Sequence, residues 1–521
     1  MPAYVLGEAV LRSVENNDPD VTGLTVAWNS WIERAGQVIG DSKSLNNLDI
    51  TIRSNDLKAI WLEDLLQHLR RNRSIEHLVI YFEQIQISDD KTPEEEDCDI
   101  FQVLTPFLEQ NSNLDLITIH EGSKRMIRSL SLALLSCQNK LLRSISLHNI
   151  ETGWDGRQFF CSFTEYVSLD HISIRGSCLG MEGSKTLSKL IQSPSSVIHC
   201  LELVDNTFDE DCFSIICDGL VKNSSIGFLN FGMNSIPAAG WSVFSTVLSR
   251  RFFEVLWLDD TGMDNEGATV LGDALAGYCL LYLDLSCNQA ITLEGWQGFF
   301  NCLNSPNLAL NTLNLEYCNI NDEGVALIMN ALEGYVPMER LFLDSNVITS
   351  RGLRTILNSL LTCEISLRQL QLTENNIDFG DLAAEEVLLL SRTLCDKSTI
   401  ESTYYSTHIC CAINFGAINF GDFDDNVDEL WHDIQSSLGV DARDKIMKHH
   451  FPGRDTDLSA FASMPETVLP YAIEWIGRDS LGRSLMYQFV GGFPTLFEAR
   501  NRSITSGTEK KRKYQSHLLA E

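Results

Sequence analysis

Two groups of chemically capable side chains recur at matched spacing along the 521 residues. The first is acidic and aromatic: Glu202, Asp205, Asp259, Asp260, Asp284, Glu316, Asp344 and Glu374, with Trp257, Tyr282, Tyr317 and Phe342 among them and Arg340 as the one base. Carboxylates steer and pair with lysine or arginine while rigid rings give apolar anchor area, so this set suits a basic patch on a protein partner. The alternative is an acidic solvated surface whose rings pack on one another. In the second group His120, His148 and Arg175 fall at equivalent places, with His171 nearby. Adjacent imidazoles bind anions or titrate near pH 6.5, whereas dispersed ones are neutral surface residues.

Nothing in the chain reads as an enzyme. It has no phosphate-binding glycine loop, no H-E-x-x-H helix and no G-x-S-x-G turn. The acidic stretch from Asp422 to Asp433 fails as a calcium loop, because Val427 stands where the turn needs glycine and Asp433 replaces the bidentate glutamate. The pair His449–His450 lacks further ligands at metal spacing. No metal and no cofactor is expected.

The elements that must position both groups follow from a repeat. The pattern L-x-x-L-x-L-x-x-N-x-L places anchor residues at Asn206, Asn234, Thr261, Asn288, Cys318, Asn346 and Asn375, 27 to 30 residues apart. Weaker copies lie upstream: Leu169, Ile172, Ile174; Leu142, Ile145, Leu147; and Leu114, Ile117, Ile119. Three irregular ones precede them, at Ile75–Leu78–Ile80, Leu45–Leu48–Ile50 and Val21–Leu24–Val26, and a degenerate fourteenth spans Ile400 to His408. In each unit the alternating L-x-L is a short strand with its leucines turned into a shared core. The anchor Asn turns inward, where its amide serves backbone groups as the chain leaves the strand. A glycine recurs at Gly240, Gly267, Gly295, Gly324 and Gly352, and an amphipathic helix follows. Residues between the leucines project from the other face and stack into columns at the spacing of adjacent strands, about 4.8 Å.

Over roughly residues 20 to 410 these repeats resemble the ribonuclease-inhibitor-like subtype of the leucine-rich-repeat family. The resemblance implies an α/β leucine-rich-repeat solenoid, a horseshoe with a concave parallel β-sheet and convex helices. It also implies a cytosolic setting with reduced cysteines. The subtype includes ribonuclease inhibitors, activators of Ran-type GTPases and sensor arms of innate-immunity receptors, so the resemblance alone does not choose a function.

Three segments break the pattern. Residues 88–99, SDDKTPEEEDCD, read as a solvated acidic insertion. Residues 1–411 are expected to form the solenoid, 412–500 a helical C-terminal cap and 501–521 a flexible basic tail, whose Lys510, Lys511, Arg512 and Lys513 are a weak nuclear signal. A formal charge of −32 disfavours nucleic acid, which needs counterion-releasing lysine and arginine. No apolar run is long enough for a membrane helix, and Glu8 interrupts the N-terminal apolar stretch before a signal core forms. Fifteen cysteines without a C-x-x-C pair read as reduced thiols, most of them in the core. The expectation is a non-catalytic cytoplasmic scaffold that binds a basic protein partner on its acidic, aromatic face. A GTPase-activating regulator and a purely structural spacer are the rival readings, and oligomeric state is left open.

Overall fold

The computed structural model describes residues 4–378 except 6, 27–31, 53–59, 83–99, 138–139, 151–153, 306–307, 334, 336, 363–364 and 366, together with 389–391, 393 and 412–414. The insertion 88–99, the degenerate unit at 400–408, the cap beyond residue 414 and the tail with Lys510–Lys513 lie outside the described residues.

Strand and helix alternate, as the leucine spacing requires. The chain divides into two compact units, Met1–Val347 and Ile348–Glu521. In the first, thirteen described strands run from Tyr4–Val5 to Arg340–Phe342, each hydrogen-bonded in chain order to the next. Every pairing is parallel and in strict register, for example Leu256 with Leu283 and Leu283 with Leu313. In the second unit Gln369–Gln371 pairs parallel with Ala412–Asn414. The first unit is an α/β leucine-rich-repeat solenoid. The irregular early units are regular strands, Gly23–Val26, Asn47–Ile52 and His77–Phe82. The two-residue strand Tyr4–Val5 ahead of them is too short to show as a leucine pattern. Ala412–Asn414 extends strand pairing past residue 411, where the leucine pattern ends.

The core lies between strands and helices. Ile172, Ile174, Leu201, Leu203, Leu256 and Leu258 have no exposed surface. Each helix buries one stripe: Ala268, Leu271 and Leu275 in Asn265–Leu275, and Val325, Ile328 and Leu332 in Asp322–Leu332. Several helices start on a side-chain cap, Asp209 accepting from the Cys212 N–H, Asp264 from Gly267 and Asn321 from Gly324. Gly267 is required by close packing, since a Cβ there would lie 2.8 Å from the Trp241 ring of the preceding helix.

The anchor side chains from Asn206 to Asn346 are buried and hydrogen-bonded. Asn288 accepts from the Thr261 and Met263 N–H groups at 3.1 and 3.0 Å. Its amide donates to the carbonyls of Leu258, Leu285 and Ser286. Asn206, Asn234 and Asn346 repeat the arrangement, each linking its own repeat to the one before. Cys318 does part of it with a thiol hydrogen bond to the Leu285 carbonyl at 3.2 Å. A second set, outside the leucine pattern, closes the helix-to-strand turn. Asn223 donates to the Ile191 carbonyl and accepts from Ser225 and Ile226, and Asn72 does the same between Ile39 and Ser74–Ile75. Its sequence signal is the motif Asn-x-Ser-Ile. Of the described cysteines all are free, but Cys161, Cys178, Cys279 and Cys287 are exposed rather than in the core.

Candidate functional site: the open face of the sheet

The sheet face turned away from the helices and the turns that leave it carry the sequence-predicted side chains of the first unit, and strand length sorts them. Strands from Leu116–His120 to Cys200–Val204 are five residues long, and those from Phe228–Asn230 to Arg340–Phe342 are three. A five-residue strand turns its first, third and fifth side chains outward, so each contributes to three columns.

The fifth-position column joins the histidines. The register sets His120 beside His148 and His148 beside Arg175. The Tyr81 ring stacks on His120 at 4.3 Å, and His120 meets His148 edge-on at 4.4 Å. Burial lowers the pKa of both imidazoles. For His148, the neighbouring His120 and Arg175 add to that and bring it to about 4, against a small opposing pull from Glu202.

His171 lies in the first-position column, where its direct neighbour is Cys200, with Glu202 on the same strand as Cys200. These three form a compact cluster whose donor atoms all lie within 4.8 Å of one another. The Ser144 hydroxyl contacts His171 Nδ1 at 3.0 Å, and Glu202 Oε1 stands 3.6 Å from Nε2. The other carboxylate oxygen, Oε2, accepts from Ser173 at 3.0 Å and from the Arg175 guanidinium. Burial would push the Glu202 carboxyl up. Contacts with His171 and Arg175, the Arg175 charge and the Ser173 hydroxyl outweigh it and hold the group down at about 2. Burial likewise depresses His171, but Cys200 and Glu202 together overcome it and raise the imidazole to about 9. The sequence pattern groups Glu202 with the acids and passes over Cys200. The only linear signal is the alignment of His171, Cys200 and Glu202 in successive copies of the repeat.

The acidic group separates into several roles. Asp205, Asp260, Tyr317 and Glu374 are not strand residues. Each directly precedes an anchor and has positive φ, between 48° and 55°; Met233, Cys287 and Ser345 likewise have positive φ. This left-handed residue turns the chain out of the strand. In the first unit its N–H continues the ladder to the next repeat, as from Asp205 to the Gly232 carbonyl and from Tyr317 to that of Asp344. Asp284 lies on the open face, in register with Trp257 and Asn314, but is covered by its neighbours and not presented to a partner. It is 7% exposed, and its carboxylate accepts from the Tyr282 hydroxyl, the Asn314 amide and both the N–H and hydroxyl of Ser286. Asn230 and Asn314, at the equivalent place, also accept from the N–H two residues on, so this position closes the strand exit. The feature is legible as Asn or Asp between the two strand leucines.

What faces solvent is therefore narrower. Asp259, Glu316 and Asp344 occupy the same repeat position as His120, His148 and Arg175, flanked by Trp257, Tyr282, Tyr317 and Phe342. Trp257 and Tyr282 pack at 5.7 Å, and Tyr317 is 47% exposed. Gly232 separates the basic and acidic stretches, and the Asp259 carboxylate fills the space its side chain would take, an added Cβ falling 2.2 Å from Oδ1. Burial, then the charges of Asp284 and Asp260, raise the Asp259 carboxyl. Burial, then Asp344 and Asp284, raise Glu316. Arg340 is exposed at the first position of its strand. Glu374 belongs to the second unit.

The sequence that builds these repeats is similar to that of known proteins. The leucine-rich-repeat family profile fits residues 279–299 and 307–329. Ribonuclease inhibitor of Sus scrofa is 28% identical over 145 residues, covering 28% of this chain and 31% of the inhibitor. The chain carries leucine-rich repeats. NACHT, LRR and PYD domains-containing protein 14 of Mus musculus is 25% identical over 236 residues, 44% of this chain and 24% of that protein. The leucine-rich-repeat chain thus spans about a quarter to a third of the length of these relatives. Among solved structures, that of the Rad7 and Elc1 complex in yeast aligns with a TM-score of 0.40 and 13% identity, over 78% of this chain and 87% of that one. Leucine-rich-repeat proteins as a family mediate protein–protein interaction, and no helix among the described residues is long and apolar enough to cross a membrane.

Proposed function

We propose that this protein is a non-catalytic cytoplasmic scaffold whose open sheet face binds a basic patch on a protein partner. The observation that carries the reading is the fifth-position column of the later repeats. Asp259 and Glu316 are half-buried carboxylates that burial and then neighbouring acids push up, and neither has an ion-pair partner among the described residues. A lysine or arginine brought there relieves repulsion already present in the free protein, while Trp257, Tyr317 and Phe342 offer ring surface beside it. Reduced, exposed thiols suit the cytoplasm.

The test is affinity capture from cytosolic extract at low salt with wild type, Asp259→Lys/Glu316→Lys, and a control of equal charge change on the helix side, Asp218→Lys/Asp273→Lys. Partners retained by the control and lost from the face variant support the reading. Equal loss from both, or from neither, overturns it.

A further inference from the structure

We propose that His171, Cys200 and Glu202 form a binding site for a divalent transition-metal ion of the zinc class. Theirs is the only group of this kind among the described residues. An imidazole nitrogen, a thiol sulfur and a carboxylate oxygen are the mixed donor set that a borderline-soft cation prefers over calcium or magnesium, which take oxygen alone.

The backbone sets the arrangement. His171 and Cys200 are direct neighbours in the parallel ladder, and Glu202, two residues beyond Cys200, projects from the same face. The surroundings orient each donor. Ser144 engages His171 Nδ1 at 3.0 Å, which leaves Nε2 facing the cluster. That nitrogen is out of contact with water and within hydrogen-bond distance of no acceptor, its nearest charged neighbour being Glu202 Oε1 at 3.6 Å. Ser173 and Arg175 both take Oε2 of Glu202, so Oε1 is the oxygen left toward His171. A neighbour that fixes a ligating imidazole and others that fix the ligating carboxylate are the outer-shell pattern of metal sites. Zinc–ligand bonds of about 2.0 to 2.3 Å bring tetrahedral donors to about 3.5 Å apart. The 3.6 Å His171–Glu202 separation already meets that, and the 4.8 Å limit for the set closes with a side-chain movement of about 1 Å. Cys200 and His171 give up their protons to solvent as the ion binds. The resulting thiolate and the carboxylate offset the ion's charge, and Arg175 stays on the opposite carboxylate oxygen. With three protein ligands on a sheet face, the fourth position opens to water or to an exchangeable ligand.

The experiment titrates the full chain, freed of metal by a chelator, with Co2+ and then Zn2+. One equivalent of Co2+ should produce a thiolate-to-cobalt charge-transfer absorption that Zn2+ removes. Cys200→Ser should abolish the band, and His171→Gln and Glu202→Gln should weaken binding at least tenfold. Ser144→Ala, which frees the imidazole, should weaken it about tenfold. Cys287→Ser, an exposed thiol near other acids, should change nothing. No band in folded wild type, a band that survives Cys200→Ser, or one that disappears in Cys287→Ser overturns the proposal. Should Cys200→Ser not fold, unaltered affinity in His171→Gln overturns it equally.

Discussion

The repeats around His120 to Glu202 and those around Asp259 to Asp344 share one backbone plan and opposite electrostatics. In the earlier stretch acids and bases alternate across neighbouring strands, so Glu202 is held at about 2 by the groups beside it. In the later stretch acids gather without bases beside them, and burial together with neighbouring acids raises Asp259 and Glu316. The first arrangement satisfies its charges internally, and the second leaves them for a partner. A parallel ladder fixes only who stands beside whom. The residue type chosen at each place decides whether the column is closed or open for binding.

The largest effect separates the two stretches by their anchors. Asn288→Ala strands two N–H groups and three carbonyls in the core, and chemical denaturation should show a loss of at least about 3 kcal/mol. In the earlier stretch Ser177 is the anchor, accepting from the Ile150 N–H and donating to the Arg175 carbonyl, and Ser177→Ala should cost only about 1 kcal/mol. Equal losses would show that the anchor's identity does not distinguish the stretches.

Neutralising an acid should change stability with opposite sign in the two. Glu202→Gln at pH 7 should destabilise by about 2 kcal/mol, since it leaves His171 and Arg175 without their carboxylate. The Glu202 carboxyl is lowered in the fold, so its contribution is present above its ordinary pKa and is lost as pH falls toward about 2. Asp259→Asn should instead stabilise by up to about 1 kcal/mol at pH 7, a figure reduced for solvent screening. Its raised carboxyl costs stability once pH rises above the folded pKa and costs nothing below the unfolded value. Thermal melts at pH 7 and pH 4 read both, and effects of the same sign would erase the contrast.

The smallest effect concerns His148. Its imidazole is neutral in the fold down to about 4, whereas the unfolded chain protonates near 6.5, so native stability falls as pH drops through that window. With its partial exposure the loss should be about 1 kcal/mol, absent in His148→Gln. A profile equally steep in the variant would place the titration elsewhere.

The repeat length, the inward leucines and the inward anchors are all legible in the linear sequence, as is the column of His120, His148 and Arg175. Those features depend on alternation along a strand and on a regular period, and both are written in linear order. Alternation carried one residue too far assigns Asp205, Asp260, Tyr317 and Glu374 to the strands, because it does not reveal a left-handed turn. It also makes Asp284 a contact residue, whereas its burial depends on Tyr282, Ser286 and Asn314 closing over it.

The sequence by itself therefore determined the architecture: strand and helix in each repeat, parallel register, and which side chains enter the core. Tertiary structure decided the chemistry of the open face. Periodicity assigns a residue to a face, but its partners come from the next strand, 27 to 30 residues away in these repeats, and are set by strand length and by where the turn begins. Only that placement brings Cys200 to His171 and Glu202, and leaves Asp259 and Glu316 among like charges.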